Sequence, residues 1–438
     1  MSATEFTIDI FQNEYLPDRA REVNAVVTVT AAGSAAGVPT AAATAAEIII
    51  VDCSASMAWK KLRQARRAAA AAIDIIRDGT AFAVVAGADQ AWSLYPSGGL
   101  AIAGARTKEA AKQSVGRLRT HGGTAIGQWL RLARELFATR EDTLRHAILL
   151  TDGQNVGESP ADLAAAIELC VGVFRCDCRG VGTDWEVDEL RNIATALLGS
   201  VDIVPDPAGL AADFEAMMQA SMAKEIADVA LRIWTPQHAK VRFVRQVAPT
   251  VEDLTVRRAQ VAPQADDYPT GAWGTESRDY HLCVQVEPGA VGQELLAARV
   301  SLILNSASGP QTLGQGLVRA IWTDEEALST RINRPVAHYT GQAELAQAIQ
   351  DGLEARKAGD EDTATAKLGR AVALAHQSGN EDTARLLAKV VDVIDPATGT
   401  VRLKAKVADA DEMTLDTRST KTVRARKYPD RSISASGP

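Results

Sequence analysis

The sequence predicts an α/β protein: a doubly wound, mostly parallel sheet inserted in an antiparallel β-sandwich, plus a small C-terminal helical bundle. Three observations carry this. Between 46 and 222, short apolar runs alternate with amphipathic helical stretches, as strands buried on both faces alternate with the helices that cover them. The flanks of that block are short β-branched runs in which apolar and polar residues alternate, the habit of half-buried antiparallel strands. Beyond 336, Ala-rich segments with helical spacing take over.

Length and composition set the frame. A chain of 438 residues suffices for two to four domains. Apolar content of 46% and charged content of 23% are ordinary for a globular protein. A net charge of −8 argues against wholesale nucleic-acid binding. Met1-Ser2-Ala3-Thr4-Glu5 has neither a basic start nor an apolar core, so no secretory signal is read there. No stretch is long and apolar enough for a membrane span. Five cysteines suggest no disulfide framework. The expectation is a cytoplasmic protein with reduced thiols.

Residues 1–45 contain two strands, Phe6–Phe11 and Glu22–Val29, turned at Pro17-Asp18, and then an Ala/Gly/Thr linker from Ala31 to Ala46. A two-stranded hairpin is marginal alone, so these strands need a partner sheet.

Residues 46–222 form the α/β unit. Ile48-Ile49-Ile50-Val51 is a buried strand, followed by Asp52, Ser54 and Ser56 at alternate positions and then by a helix, Lys60 to Ile76. Oxygen ligands therefore sit at the carboxyl end of a strand, where open α/β sheets bind. Gly122-Gly123-Thr124-Ala125 places a hydroxyl on a loop before the helix Ile126–Phe137. Leu149-Leu150-Thr151-Asp152-Gly153 ends another apolar strand in an acid. Pro160 opens a helix to Cys170, Phe174–Gly182 is an alternating strand, and Leu210–Met222 is a closing helix. Two carboxylates with three hydroxyls make a hard, all-oxygen donor set. It suits Mg²⁺ first, with Mn²⁺ or Ca²⁺ as alternatives.

These residues resemble the von Willebrand factor A family with its metal-ion-dependent adhesion site. The Asp-x-Ser-x-Ser run matches Asp52, Ser54 and Ser56, the Thr position matches Thr124, and the second Asp position matches Asp152. The resemblance implies a Rossmann-like fold and a divalent cation held by Asp52, Ser54 and Ser56, with Thr124 and Asp152 direct or through water. It implies an open position for an Asp or Glu of a protein partner, and a shift of the closing helix on binding. Bacterial relatives work beside Ser/Thr kinases, phosphatases or AAA+ ATPases, which makes a signalling or stress-response scaffold the expected role.

Cys170, Cys176 and Cys178 read as core thiols, since no fourth Cys or His stands near them for zinc. His121 borders the Thr124 loop and reads as a loop residue, not a general base. Thr151 reads as a strand end, with its hydroxyl bound to a metal water as the alternative.

Residues 223–335 are all-β, with strands at Ala227–Trp234, Lys240–Arg245, Tyr280–Val286, Leu296–Leu304 and Gln315–Trp322. The N-terminal strands would complete this sandwich, much as integrin β chains carry an inserted metal-bearing domain. Two β pieces packed separately on the α/β unit are the alternative. Asp266–Gly274 reads as a long aromatic loop, either packed or partner-binding. Residues 336–395 form the bundle. Gly359-Asp360-Glu361-Asp362-Thr363-Ala364 and Gly379-Asn380-Glu381-Asp382-Thr383-Ala384 each give a stop, a cap and an acidic first turn. The repeat is too short for a tetratricopeptide array. Residues 396–438 read as a largely disordered basic tail, with Thr420 and Thr422 as candidate phosphorylation sites.

The functional expectation is binding without catalysis. A Mg²⁺- or Mn²⁺-dependent phosphohydrolase is the alternative, and the chain lacks a GxxxxGK[ST] phosphate loop.

Overall fold

The computed structural model describes residues 4–33, 45–57, 59–140, 143–306, 309–331, 333–422 and 424. Most of the expected Ala31–Ala46 linker, 34–44, lies outside them. The chain opens with β1 (Thr4–Gln12), β2 (Tyr15–Pro17) and β3 (Glu22–Gly33). β1 and β3 pair antiparallel, with Ile8 opposite Val29.

The α/β unit follows as β4 (Ala45–Asp52), α1 (Lys60–Ile75), β5 (Ala81–Gly87), β6 (Ala91–Tyr95), β7 (Ala101–Ile102), α2 (Ala105–Gly116) and α3 (Ile126–Phe137). It continues as β8 (Leu144–Thr151), α4 (Pro160–Cys170), β9 (Arg175–Val181), α5 (Val187–Ala196), β10 (Val201–Val204) and α6 (Leu210–Met222). Strand order is β10-β9-β8-β4-β5-β6, with β7 also on β5. β10 through β5 are parallel, and β6 and β7 are antiparallel additions. β4 lies inside the sheet, which explains its unbroken apolar run. Ile49 and Val51 pack with α1 and α6 on one face, while Ile48 and Ile50 pack with α3, α4 and α5 on the other. Ser159 and Asp162 cap α4 reciprocally, with Pro160 in its first turn. Cys170, Cys176 and Cys178 are buried among these apolar side chains.

The second half supplies β11 (Ile226–Trp234), β12 (Ala239–Ala248), β13 (Glu252–Asp253), β14 (Ala259–Ala262), β15 (Ala265–Trp273), β16 (Glu276–Val286), β17 (Glu294–Ser306) and β18 (Gly309–Thr323). One sheet runs β1-β3-β16-β12-β13 and the other β14-β15-β11-β17-β18-β2. Both sheets thus contain strands from before and after the α/β unit, which enters as an insertion between β3 and β11. Val27, Val29, Leu231, Tyr268, Leu282, Val300 and Trp322 belong to the single core between the sheets. The expected loop at 266–274 is corrected here: Asp266–Trp273 is most of β15. Pro269 and Gly271 suggest a loop, but they stand where the β11 register slips at Val229–Ala230, so the strand accommodates both. Tyr268 and Trp273 are core residues with no exposure.

The chain then runs through α7 (Glu326–Ser329), α8 (Arg334–Lys357), α9 (Glu361–Ser378), α10 (Glu381–Val390), β19 (Val391–Asp395), β20 (Thr400–Leu403) and α11 (Asp409–Arg418). The Asp360 and Asn380 side chains accept from the Thr363 and Thr383 amides, so the repeated stop-and-cap motif starts two helices. The disordered tail is also corrected. Residues 400–424 fold, apart from Val423, which lies outside the described residues with 425–438. Leu415 is fully buried against the bundle. Arg418 and Lys421 pair with Asp202 at 3.0 and 2.6 Å, and Arg424 pairs with Asp279 at 3.0 Å. Thr422 Oγ1 donates to the Val247 carbonyl at 2.6 Å, and the Val251 amide donates to the Thr420 carbonyl at 2.7 Å. The two candidate phosphoacceptors therefore sit on an ordered strap across the sandwich. No helix among the described residues is long and apolar enough to cross a membrane.

A polar stitch joins the amino ends of the sheet. His146 on β8 bonds Glu47 on β4 at 2.7 Å and Asp177 on β9 at 2.8 Å. Ser221 on α6 donates to the other Glu47 oxygen at 2.8 Å. Burial alone would push His146 down, but the Glu47 charge and the bonds to both carboxylates outweigh it and raise it to about 9. A raised folded-state value means full stabilisation below the ordinary imidazole range, lost as pH rises through about 9. The shift corresponds to roughly 3 kcal/mol. In thermal melts, His146→Gln should cost most near pH 6, and its deficit against wild type should shrink steadily toward pH ~9.5.

Candidate metal centre

The site is built where β4 and β8 run out of sheet. Asp52 is the last residue of β4 and is fully buried. Its Oδ1 accepts the Ser54 amide at 2.7 Å, which turns the chain sharply. Its Oδ2 accepts the Thr151 hydroxyl at 2.6 Å and, more weakly, the Asp152 amide at 3.4 Å. One carboxylate thus ties the ends of two adjacent parallel strands. Ser54 Oγ and Ser56 Oγ lie 2.9 Å apart, and Ser56 Oγ donates to Asp152 Oδ1 at 2.7 Å. The 54–57 turn is held in place by the Ala55 amide on the Gly122 carbonyl, at 3.0 Å, and by the Met57 amide on the Ser54 carbonyl, at 3.1 Å.

Thr124 arrives from the loop before α3. The Gly157 amide donates to its carbonyl at 2.6 Å, and the Asn155 side chain accepts the Ile126 amide at 2.7 Å. Gly153 separates the groups: a Cβ there would stand 3.1 Å from Ser56 Oγ and 3.4 Å from Thr124 Oγ1. Both hydroxyls therefore face the same glycine, and any larger residue would press on them. All five sequence-derived residues occupy one end of the sheet. Asp52, Ser54, Ser56 and Asp152 form one hydrogen-bonded set, and Thr124 borders it across Gly153.

Charge decides what the set fits. Asp52 and Asp152 are both without exposure. Burial raises Asp52 to about 6; the Ser54 and Thr151 hydrogen bonds oppose that shift and the Asp152 charge adds to it. Among the described residues, no basic group lies within 4.0 Å of Asp52, and the Lys61 ammonium lies 2.7 Å from Asp152 Oδ2. Two buried carboxylates thus face one ammonium, which Asp184 also shares at 3.0 Å. Buried charge without compensation is unfavourable, so the donor set and its charge both fit a hard divalent cation. Asp52, Ser54, Ser56, Thr124 and Asp152 are the residues that would hold it.

Sequence reasoning missed Lys61, Gly153 and the bond from Thr151 to Asp52. For Lys61 a signal existed. Lys60-Lys61 stands in the first turn of α1, which has no acid there and no side-chain cap, against the preference of a helix amino end for negative charge. His121 is exposed; its amide donates to the Cys53 carbonyl at 2.7 Å, and its ring meets Trp92 edge-on. Cys176 and Cys178 have sulfurs 4.0 Å apart, and Cys170 Sγ donates to the Leu130 carbonyl. Among the described residues, no three His, Cys, Asp or Glu side chains converge as a metal group, so the cysteines are core thiols.

Comparison with known proteins bears on the family and the fold. The family model for the von Willebrand factor type A domain matches residues 46–203, and that for the von Willebrand factor type A C-terminal domain matches 373–419. The second match covers the last third of α9, all of α10 and α11, and the hairpin between them. No curated protein matches the chain. The structure titled ArnB paralog VWA2 from Sulfolobus acidocaldarius shares 11% identity at a TM-score of 0.57, over 94% of this chain and 98% of that one, a likeness of fold alone. The von Willebrand factor type A protein from Catenulispora acidiphila shares 53% identity at a TM-score of 0.92, over 97% of this chain and 98% of that one. With sandwich, inserted α/β unit and C-terminal helices all aligned at that identity, the chain belongs to the von Willebrand factor type A family.

Proposed function

We propose that the chain is a non-catalytic, metal-dependent protein-interaction factor. Asp52, Ser54, Ser56, Thr124 and Asp152 hold a divalent cation, Mg²⁺ by preference, and the cation takes an Asp or Glu side chain from a protein partner. The observation that carries this is the pair of unexposed carboxylates facing a single ammonium at the open end of the sheet. An added dication turns that excess of negative charge into an excess of positive charge, which a partner carboxylate then meets. The working role is a cytoplasmic signalling or stress-response scaffold beside a Ser/Thr kinase or AAA+ ATPase system.

Titration calorimetry with Mg²⁺ should show one binding event in the wild type and none in Asp52→Ala. Capture of partner proteins should require Mg²⁺ and be lost with chelator. Mg²⁺- or Mn²⁺-dependent phosphatase turnover that disappears in Asp52→Ala would overturn the reading in favour of a phosphohydrolase.

Lys61 yields a second expectation. Its ammonium balances Asp152 and repels any cation placed beside that carboxylate. Lys61→Met should lower metal-free stability by about 2 kcal/mol, less than the full cost of a broken buried pair, because Lys61 is 25% exposed. The same variant should bind Mg²⁺ more tightly than wild type. Melting curves with and without Mg²⁺ check both signs.

A further inference from the structure

At the far end of the α/β sheet from Asp52, a cavity of about 410 Å³ lies between the amino ends of β8 and β9, helix α6, and strands β12, β13, β15 and β16 of the sandwich. That volume is in the range of small-molecule sites. Its walls are ionic, and their charges do not cancel locally. Asp177 is engaged by His146 at 2.8 Å, Asp213 by Arg179 at 2.7 Å, and Glu252 by Arg257 at 2.8 Å. Glu276 uses one oxygen for both Lys224, at 2.6 Å, and Arg278, at 2.7 Å. Arg175 lines the same cavity, and among the described residues no carboxylate oxygen lies within 4.0 Å of it. Lys224 and Arg278 therefore share one carboxylate, and Arg175 stands beside them with no ion pair in contact.

Arg175 is also under-used as a donor. Its Nε donates to the Leu198 carbonyl at 2.9 Å, and among the described residues its two terminal nitrogens have no hydrogen-bond acceptor. Arg278, by contrast, is spent on the Thr270 and Ala272 carbonyls and on Glu276. Burial, then the positive charge of Arg278, with Arg175 contributing, pushes the Lys224 ammonium below its usual range despite Glu276. Such crowding of buried cations is unfavourable until an anion joins them. On the same wall, Thr250 Oγ1 accepts from Gln246 Nε2 at 3.2 Å, so its own O–H is available to donate. A forked guanidinium end, an ammonium and a hydroxyl match the oxygens of a tetrahedral oxyanion.

We propose that this cavity binds a phosphate group, free or carried by a small organic molecule, with the terminal nitrogens of Arg175 as its main donors and Lys224 and Thr250 beside them. A carboxylate would use the fork alone, whereas a phosphate has further oxygens to offer the ammonium and the hydroxyl. The cavity stands apart from the metal centre and does not depend on the metal reading. The phosphate would also touch groups of both the inserted unit and the sandwich.

The test is calorimetric titration of the full chain with inorganic phosphate, at constant ionic strength set by sodium chloride. The expected result is one saturable site, weakened about tenfold or more by Arg175→Gln and several-fold by Lys224→Gln. Both variants should keep the wild-type circular-dichroism spectrum and a single cooperative melt, which shows that they are folded. If Arg175→Gln fails to fold, Lys224→Gln and Thr250→Val carry the comparison. A small phosphomonoester run alongside identifies the source: tighter binding than inorganic phosphate marks an organic ligand, and equal binding marks phosphate itself. Absence of saturable binding in the wild type, or unchanged affinity in the folded variants, would overturn the proposal.

Discussion

Asp52 and Asp152 are placed where water cannot reach either, with one lysine between them and full neutrality. Much of the surrounding architecture serves that placement. Asp52 can sit there because its two oxygens take three hydrogen bonds from Ser54, Thr151 and Asp152. Those bonds exist because β4 and β8 are adjacent and parallel, so both strands deliver their last residues to the same edge. The strands hold that register because Ile48 to Val51 are covered on both faces. A helix-covered parallel sheet thus confines two like charges that, free in water, would stay apart.

The opposite end of the same sheet is organised by pairing, and it is there that the inserted unit meets its host. Glu47, His146, Asp177 and Ser221 tie three strands and α6 together within the unit. Lys224 and Glu276 then link the segment leaving α6 to β16. The C-terminal strap reinforces this arrangement by anchoring on Asp202 of β10 and on Asp279 of β16, one carboxylate in the insert and one in the sandwich. Asp279 also accepts from Thr28 and Tyr339, so one buried acid collects β3, α8 and the strap.

How much of this was legible in the sequence follows from how local each signal is. The α/β pattern and the five clustered oxygen side chains were readable because each rests on a short stretch: an apolar run, then an acid or a hydroxyl. The repeated caps at Asp360 and Asn380 were readable for the same reason. Asp266–Gly274 misled because Pro269 and Gly271 signal a turn, and only the neighbouring strand β11, with its register slip, shows that they fit a sheet. The tail misled because its order depends on acids at 202 and 279, which composition near 420 does not reveal. Thr151, Gly153 and Lys61 acquire their roles only when distant turns meet.

Placing one folded unit inside another has a consequence for synthesis. Thr28 and Asp279, bonded at 2.6 Å, are separated by 251 positions. As the chain emerges from the ribosome, β1 and β3 must wait for the whole α/β unit, and then β16, before their sheet can close. The inserted unit is contiguous in sequence and is complete before its host. The nascent protein therefore passes through a stage with one finished domain flanked by bare, β-prone edges. Of all stages in the life of this chain, that interval is the one most exposed to wrong pairing.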